Sequence, residues 1–219
     1  LIDITIPATL RPELLAQTLT SFKKNVNYSD GFQIILNVDF APKAKLKEAA
    51  NIAAKCLGIA WDHFTVRKYT TSDEPNFAKA VKKIWENSES RWVFHLEDDW
   101  LFTRKIDLDQ ILGSISSQIR YIRFPKEHAA KLDKVALQPS LWRGDLVREL
   151  SDEMITDKDP EKQLRRGSVN TLIDNLLPMA SERTDWPGGP FCKDNGRDWR
   201  AARGLTKWNK NKDRSITWS

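Results

Sequence analysis

The stretch "RWVFHLEDDW" (Arg91–Trp100) alternates Trp92, Phe94 and Leu96 and then sets three carboxylates in a row, Glu97, Asp98 and Asp99. The alternation reads as a buried strand, and the acids stand at its carboxyl end. Carboxylates this close raise one another's pKa unless a cation or hydrogen-bond donors compensate. An acidic turn solvated by water is the simpler reading of these letters. A cation site is the other, and the flanking chain decides between them.

Upstream, "FQIILNVDF" (Phe32–Phe40) is nearly continuously apolar, as strands covered on both faces in parallel sheets are, and it too ends on an acid, Asp39. The opening "DITIPATLRPELLAQTL" gives a strand through Ile4 and Ile6, a loop bracketed by Pro7 and Pro12, and a helix with Pro12 in its first turn. "KAKLKEAANIAAKCLG" predicts a helix closing at Gly58, and "FTVRKY" a third strand. "NFAKAVKKIWENSES" predicts a helix with Phe77, Val81, Ile84 and Trp85 on one face. Strand and helix therefore alternate four times. That order predicts an α/β fold with a mainly parallel central sheet flanked by helices. In such sheets the ligand crevice lies at the carboxyl ends of the strands, where Asp39 and the acid triplet both fall.

Downstream, "LDQILGSISSQIRYIRFP" predicts a helix and a strand at Tyr121–Phe124, and a further helix starts near Asp145 as N-cap. "DKDPEKQLRRG" places Pro160 in a first helical turn with a stop at Gly167. "RTDWPGGPFCKDNGRDW" reads as an irregular loop, with Asn195-Gly196 as a tight turn. Cys56 and Cys192 stand in unrelated contexts and the three histidines are scattered, so neither a zinc motif nor a disulfide framework is indicated. His95, within the strand, is read as packing beside the sheet rather than binding metal. No apolar run approaches the roughly 18 residues of a membrane span. The opening "LIDITIP" reads as a strand rather than a signal peptide, and a cytoplasmic setting (host cytoplasm for a viral chain) is expected.

The formal charge of +5 is localised. From Lys193 onward the chain carries eight Lys/Arg against three Asp/Glu, so the whole excess lies there, interleaved with Trp199, Trp208 and Trp218, and the preceding residues balance. A solvated basic tail and an anion-facing surface both fit that pattern.

Taken in order, these residues resemble the family 2 glycosyltransferases of the GT-A fold, a Rossmann-like single domain. "TIPATLRPELLAQTL" is similar to the family's opening strand and its proline-arginine loop, Asp39 to the aspartate after its second strand, and "LEDD" to its metal-binding DxD region. "DKDPEKQLRRG" is similar to its later acidic motif. The sequence departs from the pattern at Leu10, where a polar residue is usual, at Glu97 as the first acid of the triplet, and in having no histidine after His128. The resemblance implies an inverting, metal-dependent, hexosyltransferase-like enzyme with a nucleotide-diphosphate sugar, UDP-sugar foremost, as donor. It implies Mn²⁺ or Mg²⁺ held by Asp99 with Glu97, and Asp98 facing the ribose or the metal. Asp39 would accept the base's imide N–H, and Thr9 and Arg11 would line the nucleotide pocket. Asp159 would be the general base, with Asp157 and Glu161 as its neighbours in the same motif.

Arg197 in "KDNGRDWR" could reach the diphosphate, or simply belong to a basic surface turn. Residues 1–102 are expected to form the nucleotide-sugar-binding half, 103–192 the acceptor half, and 193–219 a basic Trp-containing segment. The acceptor expected from the tail's charge is a hydroxymethylated pyrimidine in double-stranded DNA, as for phage-type DNA-modifying members. A surface glycan or protein acceptor is the alternative. A sugar nucleotidyltransferase shares the α/β layout but opens with a glycine-rich phosphate loop, and "IPATLRP" has no glycine. A non-catalytic nucleic-acid or glycan module would leave the acidic motifs unexplained.

Overall fold

The computed structural model describes residues 1–40, 45–127, 135–164, 172–177, 179–204, 207–209 and 216–218. His128, Gly167 and Lys210 lie outside them, as do the side chains of Lys207, Trp208 and Trp218.

Strand β1 (Ile2–Thr9) leads into helix α1 (Pro12–Asn25), whose first turn holds Pro12 and Glu13 as the sequence predicts. A two-residue strand β2 (Val26–Asn27), strand β3 (Phe32–Asp39), helix α2 (Leu46–His63) and strand β4 (Thr65–Ser72) follow. Helix α3 (Phe77–Glu86) and strand β5 (Trp92–His95) complete the alternating half. The chain continues through β6 (Trp100–Phe102), β7 (Ile106–Asp107), α4 (Leu108–Ser114), β8 (Tyr121–Arg123) and β9 (Ser140–Arg143). Then come α5 (Gly144–Glu153), α6 (Pro160–Gln163), α7 (Leu172–Leu176), β10 (Arg183–Asp185), β11 (Cys192–Asp194) and α8 (Gly196–Ala201).

The central sheet has seven strands in the order β10-β8-β9-β5-β1-β3-β4. It is parallel at every pairing except the two made by β9. Leu15, Leu19 and Phe22 of α1, with Ala49, Ala53 and Cys56 of α2, cover one face. Val81, Ile84 and Trp85 of α3, with Leu146, Val147 and Leu150 of α5, cover the other. The result is a single α/β domain of three layers, as the alternation predicted. Trp92, Phe94 and Leu96 are buried in its core, and so is Trp100.

Four local expectations are corrected. Pro7 lies within β1, opposite Asn37 of β3, and not in the following loop. The pairing of β1 with β5 ends at Thr5↔His95, so no neighbouring strand asks for the N–H that Pro7 lacks. Helix α2 runs through Gly58 to His63, because Ala60 is still buried against the core and Phe64 N–H caps its carbonyl. Helix α5 starts two residues earlier than an Asp145 cap would set: Arg143 is its N-cap, Gly144 N–H donates to Arg91 O at 2.8 Å, and Asp145 sits in the first turn. The Pro/Gly-rich loop contains β10, β11 and the start of α8; Asn195-Gly196 opens that helix instead of making a turn.

Candidate active site

The last backbone rung of β5 is Leu96 N–H to Thr5 O at 3.2 Å, and the chain turns immediately afterward through Asp98 and Asp99. The turn is held from α1, where Thr18 Oγ1 donates to Asp98 O at 2.9 Å. It is also held from the end of β1, where Thr9 N–H donates to Asp98 Oδ2 at 3.0 Å. Arg11 completes the clamp. Its Nε donates to Asp98 Oδ2 at 3.3 Å, its Nη2 pairs with Asp98 Oδ1, and its Nη1 donates to Asp99 Oδ2 at 3.0 Å. Asp98 is 1% exposed and Arg11 8%, so this ion pair is sealed from water. Burial alone would lower the Arg11 pKa, but the Asp98 and Asp99 charges outweigh it and hold the guanidinium protonated.

Asp99 is in a different position. Burial, aided by the charges of Asp98 and Asp194, pushes its carboxyl up to about 6 against the opposing pull of Arg11. The bond from Arg11 uses Oδ2, and among the described residues Oδ1 accepts no hydrogen bond. The C-terminal strand and helix close over it. β6 and β11 pair antiparallel, Asn195 N–H donates to Asp99 O at 2.8 Å, and Gly196 lies so close that a Cβ there would stand 2.9 Å from Asp99 Cγ. Glu97, half-buried, adds its charge to the field on Arg11.

Asp39 sits beside this group, because Thr9 and Asp39 are register partners at the ends of β1 and β3. Its carboxylate accepts Asn76 N–H at 3.0 Å and Asn37 Nδ2 at 2.7 Å. Burial pushes its pKa up to about 6 despite those bonds. Asn76 also caps α3 through Lys79 N–H and reaches Thr156 O with Nδ2 at 3.0 Å, tying Asp39 to the segment that precedes α6.

Thr9, Arg11, Asp39, Asp98 and Asp99 therefore share one end of the sheet. Asp159 belongs to a different element. It is the N-cap of α6, its Oδ1 accepting from Glu161 N–H at 2.9 Å and Lys162 N–H at 3.3 Å, and it shares no hydrogen bond or ion pair with the acid cluster among the described residues. Arg197 projects from α8 with its side chain 77% exposed, its Nε 3.5 Å from Asp194. His95 is enclosed, its Nδ1 accepting from Trp85 Nε1 at 3.1 Å with Thr5 Oγ1 at the same distance, and burial pushes its pKa down to about 3. It is a core histidine.

The structure adds four residues that the motifs did not single out: Thr18, Asn76, Asp194 and Gly196. Asn76 carried a readable signal, an Asn directly before an amphipathic run. The other three are set by long-range packing. A cavity of about 310 Å³ lies elsewhere, lined by Ile2, Trp92, Ile115 and Arg143 at the opposite ends of the strands. Buried charge is concentrated instead with the carboxylates at the carboxyl ends of the strands.

The donor set suits a hard divalent ion. Glu97 and Asp99 offer carboxylate oxygens, and a cation would relieve the burial that raises Asp99. No group of three or more His, Cys, Asp or Glu side chains converges as a metal cage among the described residues. Such a site would take the rest of its shell from phosphate and water, as Mg²⁺-type sites do.

No protein-family model matches the sequence, and no curated protein does. Solved structures do match in fold. One is the mannosyltransferase PcManGT of Pyrobaculum calidifontis in complex with GDP-Man and Mn²⁺, at 11% identity and a TM-score of 0.61 over 92% of this chain and 60% of that one. Another is residues 1–349 of TarS from S. aureus, at 11% identity and a TM-score of 0.58 over 90% of this chain and 61% of that one. A cytidylyltransferase from Leptospira borgpetersenii matches at 13% identity and a TM-score of 0.50, over 98% of this chain and 90% of that one. The chain thus spans about 60% of the PcManGT and TarS chains it matches. At such identities the likeness is one of fold: this chain is a single α/β domain of GT-A type, and its structural neighbours include glycosyltransferases and a nucleotidyltransferase.

Proposed function

We propose that this protein transfers a sugar, with inversion, from a nucleotide-diphosphate sugar to an acceptor hydroxyl. The observation that carries the reading is the gathering of Asp39, Thr9, Arg11 and the acid pair at the carboxyl ends of adjacent parallel strands, with Asp99 buried against the Arg11 guanidinium. Asp39 accepts the imide N–H of the base, uracil foremost. Thr9 and Arg11 line the nucleotide pocket, and Asp98 fixes both of them. Glu97 and Asp99 hold a divalent cation, Mn²⁺ or Mg²⁺, which when bound supplies positive charge for the departing diphosphate. Arg197, exposed on the helix that covers Asp99, meets the diphosphate from the solvent side. Asp159 takes the proton of the acceptor hydroxyl as general base.

For the acceptor we favour a hydroxymethylated pyrimidine in DNA over a glycan or protein. Arg197, Arg200 and Arg203 all stand on or just after the helix whose start packs on Asp99, so these three arginines flank the acids. Trp199 between them lies 4.2 Å from the Arg203 guanidinium, ring centroid to Cζ.

The deciding experiment is calorimetric titration of UDP-sugars with and without Mn²⁺, followed by sugar transfer to hydroxymethylated DNA and to glycans. Asp99→Asn removes ligand charge at constant volume and should weaken Mn²⁺-dependent donor binding at least as much as loss of an outer-sphere partner, roughly 10–100-fold. Release of pyrophosphate from a nucleoside triphosphate and a sugar 1-phosphate, without sugar transfer, would instead establish the nucleotidyltransferase reading.

A further inference from the structure

Arg11 has two arms, and the structure loads them differently. Nε and Nη2 grip Asp98, whose carboxylate also accepts Thr9 N–H and is enclosed. Releasing that grip would strand a buried charge, which is strongly unfavourable. Nη1 donates to Asp99 Oδ2 at 3.0 Å. Asp99 is the carboxylate that the nucleotide-sugar reading assigns to the cation, so two positive charges are drawn to the same carboxylate.

We propose that the Nη1 arm of Arg11 is the resting counter-charge of Asp99 and is exchanged for the divalent cation when the nucleotide diphosphate binds. The inference rests on the nucleotide-sugar reading above and makes Arg11 a positioning residue with a second state. The Asp98 grip stays fixed throughout, so the guanidinium remains in place while Nη1 becomes available to a phosphate oxygen. Cation and diphosphate then each favour the exchanged state, and by reciprocity each must tighten the other. The cation alone binds weakly, because it shares a buried carboxylate with a guanidinium already bonded to Oδ2 and the two positive charges repel.

The test reads Mn²⁺ binding directly, by loss of the free-ion signal in electron paramagnetic resonance, with no turnover needed. Wild type should bind Mn²⁺ weakly, and UDP should tighten it by roughly 5- to 150-fold, the range of ordinary site coupling. Arg11→Gln removes the competing charge and should bind Mn²⁺ more tightly than wild type without UDP, with a smaller gain on adding UDP. Arg11→Lys keeps the charge and should stay near wild type. Because Arg11→Gln leaves Asp98 unpaired, the charge-balanced pair Arg11→Gln/Asp98→Asn serves as the folded counterpart, checked by near-ultraviolet circular dichroism. Mn²⁺ affinity in the folded neutral variant equal to or below wild type would overturn the exchange while leaving the donor reading intact. Failure of every form to bind Mn²⁺, with or without UDP, would overturn the cation site and the exchange together.

Discussion

Asp159, proposed above as the general base, is also structurally occupied. Its Oδ1 caps α6, so Asp159→Ala would confuse loss of a base with loss of a cap worth roughly 0.5–2 kcal/mol. Asn caps about as well as Asp, so Asp159→Asn should leave thermal stability nearly unchanged and lower kcat by roughly 10²–10⁴-fold. Steady-state transfer assays check this. A larger fall for Asp157→Asn or Glu161→Gln would move the base to that residue. Asp39 carries a different signature. Its folded pKa of about 6 lies above the unfolded value near 3.8, so between those pH values the native state binds more protons than the unfolded state. Stability from this group is therefore present below about pH 4 and lost as pH rises through 6, on the order of 3 kcal/mol in all. Asp99 titrates in the same direction. Asp39→Asn should flatten that slope, so its stability relative to wild type improves between pH 4 and pH 7 while UDP binding weakens. Chemical denaturation at the two pH values measures it; parallel pH profiles for the two proteins would remove Asp39 from the balance.

Two glycines decide how elements meet. At Gly144, the start of α5, a Cβ would run into the Ser90 carbonyl oxygen, with its carbon at 3.2 Å, and backbone there cannot yield without moving the turn before β5. At Gly196, the start of α8, the obstruction is the Asp99 side chain. Overpacking costs typically 1–3 kcal/mol, and the two positions should divide that cost differently. Gly144→Ala should lower the unfolding midpoint with little change in donor affinity, since α5 lies away from the acids. Gly196→Ala should perturb Mn²⁺-dependent donor binding more than stability, because α8 can lift from Asp99. Thermal melts and calorimetry on the two variants separate these outcomes, and a Gly196→Ala protein with unchanged donor binding would show that α8 does not bear on the site.

At the scale of the whole molecule the charge is asymmetric, balanced up to residue 192 and +5 beyond it. If DNA is the acceptor, affinity for hydroxymethylated duplex should fall steeply with salt through counterion release, and each phosphate contact removed should reduce the log–log slope by about 0.9. Neutralising Arg197, Arg200 and Arg203 together should reduce that slope and weaken binding at all sequences alike, with nucleotide hydrolysis of the donor retained to the extent that Arg197 is dispensable. Gel-shift titrations across a salt series provide the measurement. No shift at low salt would favour the glycan acceptor.

The sequence by itself determined the alternation of elements and the end of the sheet at which acids collect. Periodicity is local: Phe32–Asp39 reads as a doubly covered strand and Val81, Ile84 and Trp85 as one helical face without reference to any distant residue. It erred where a neighbour in space overrode a local signal. Pro7 stays in β1 because β5 has already ended beside it, and Gly58 stays in α2 because Ala60 still has a core to pack against. Only the tertiary structure decided how the acids are used. That Asp98 is sealed by Arg11 from 87 residues away in sequence, while Asp99 lies beneath Gly196 with its Oδ2 on Arg11, depends on contacts between β1, β5 and α8 that no local pattern encodes. Ion pairing is a property of distance and dielectric, and both are fixed only when the chain has folded.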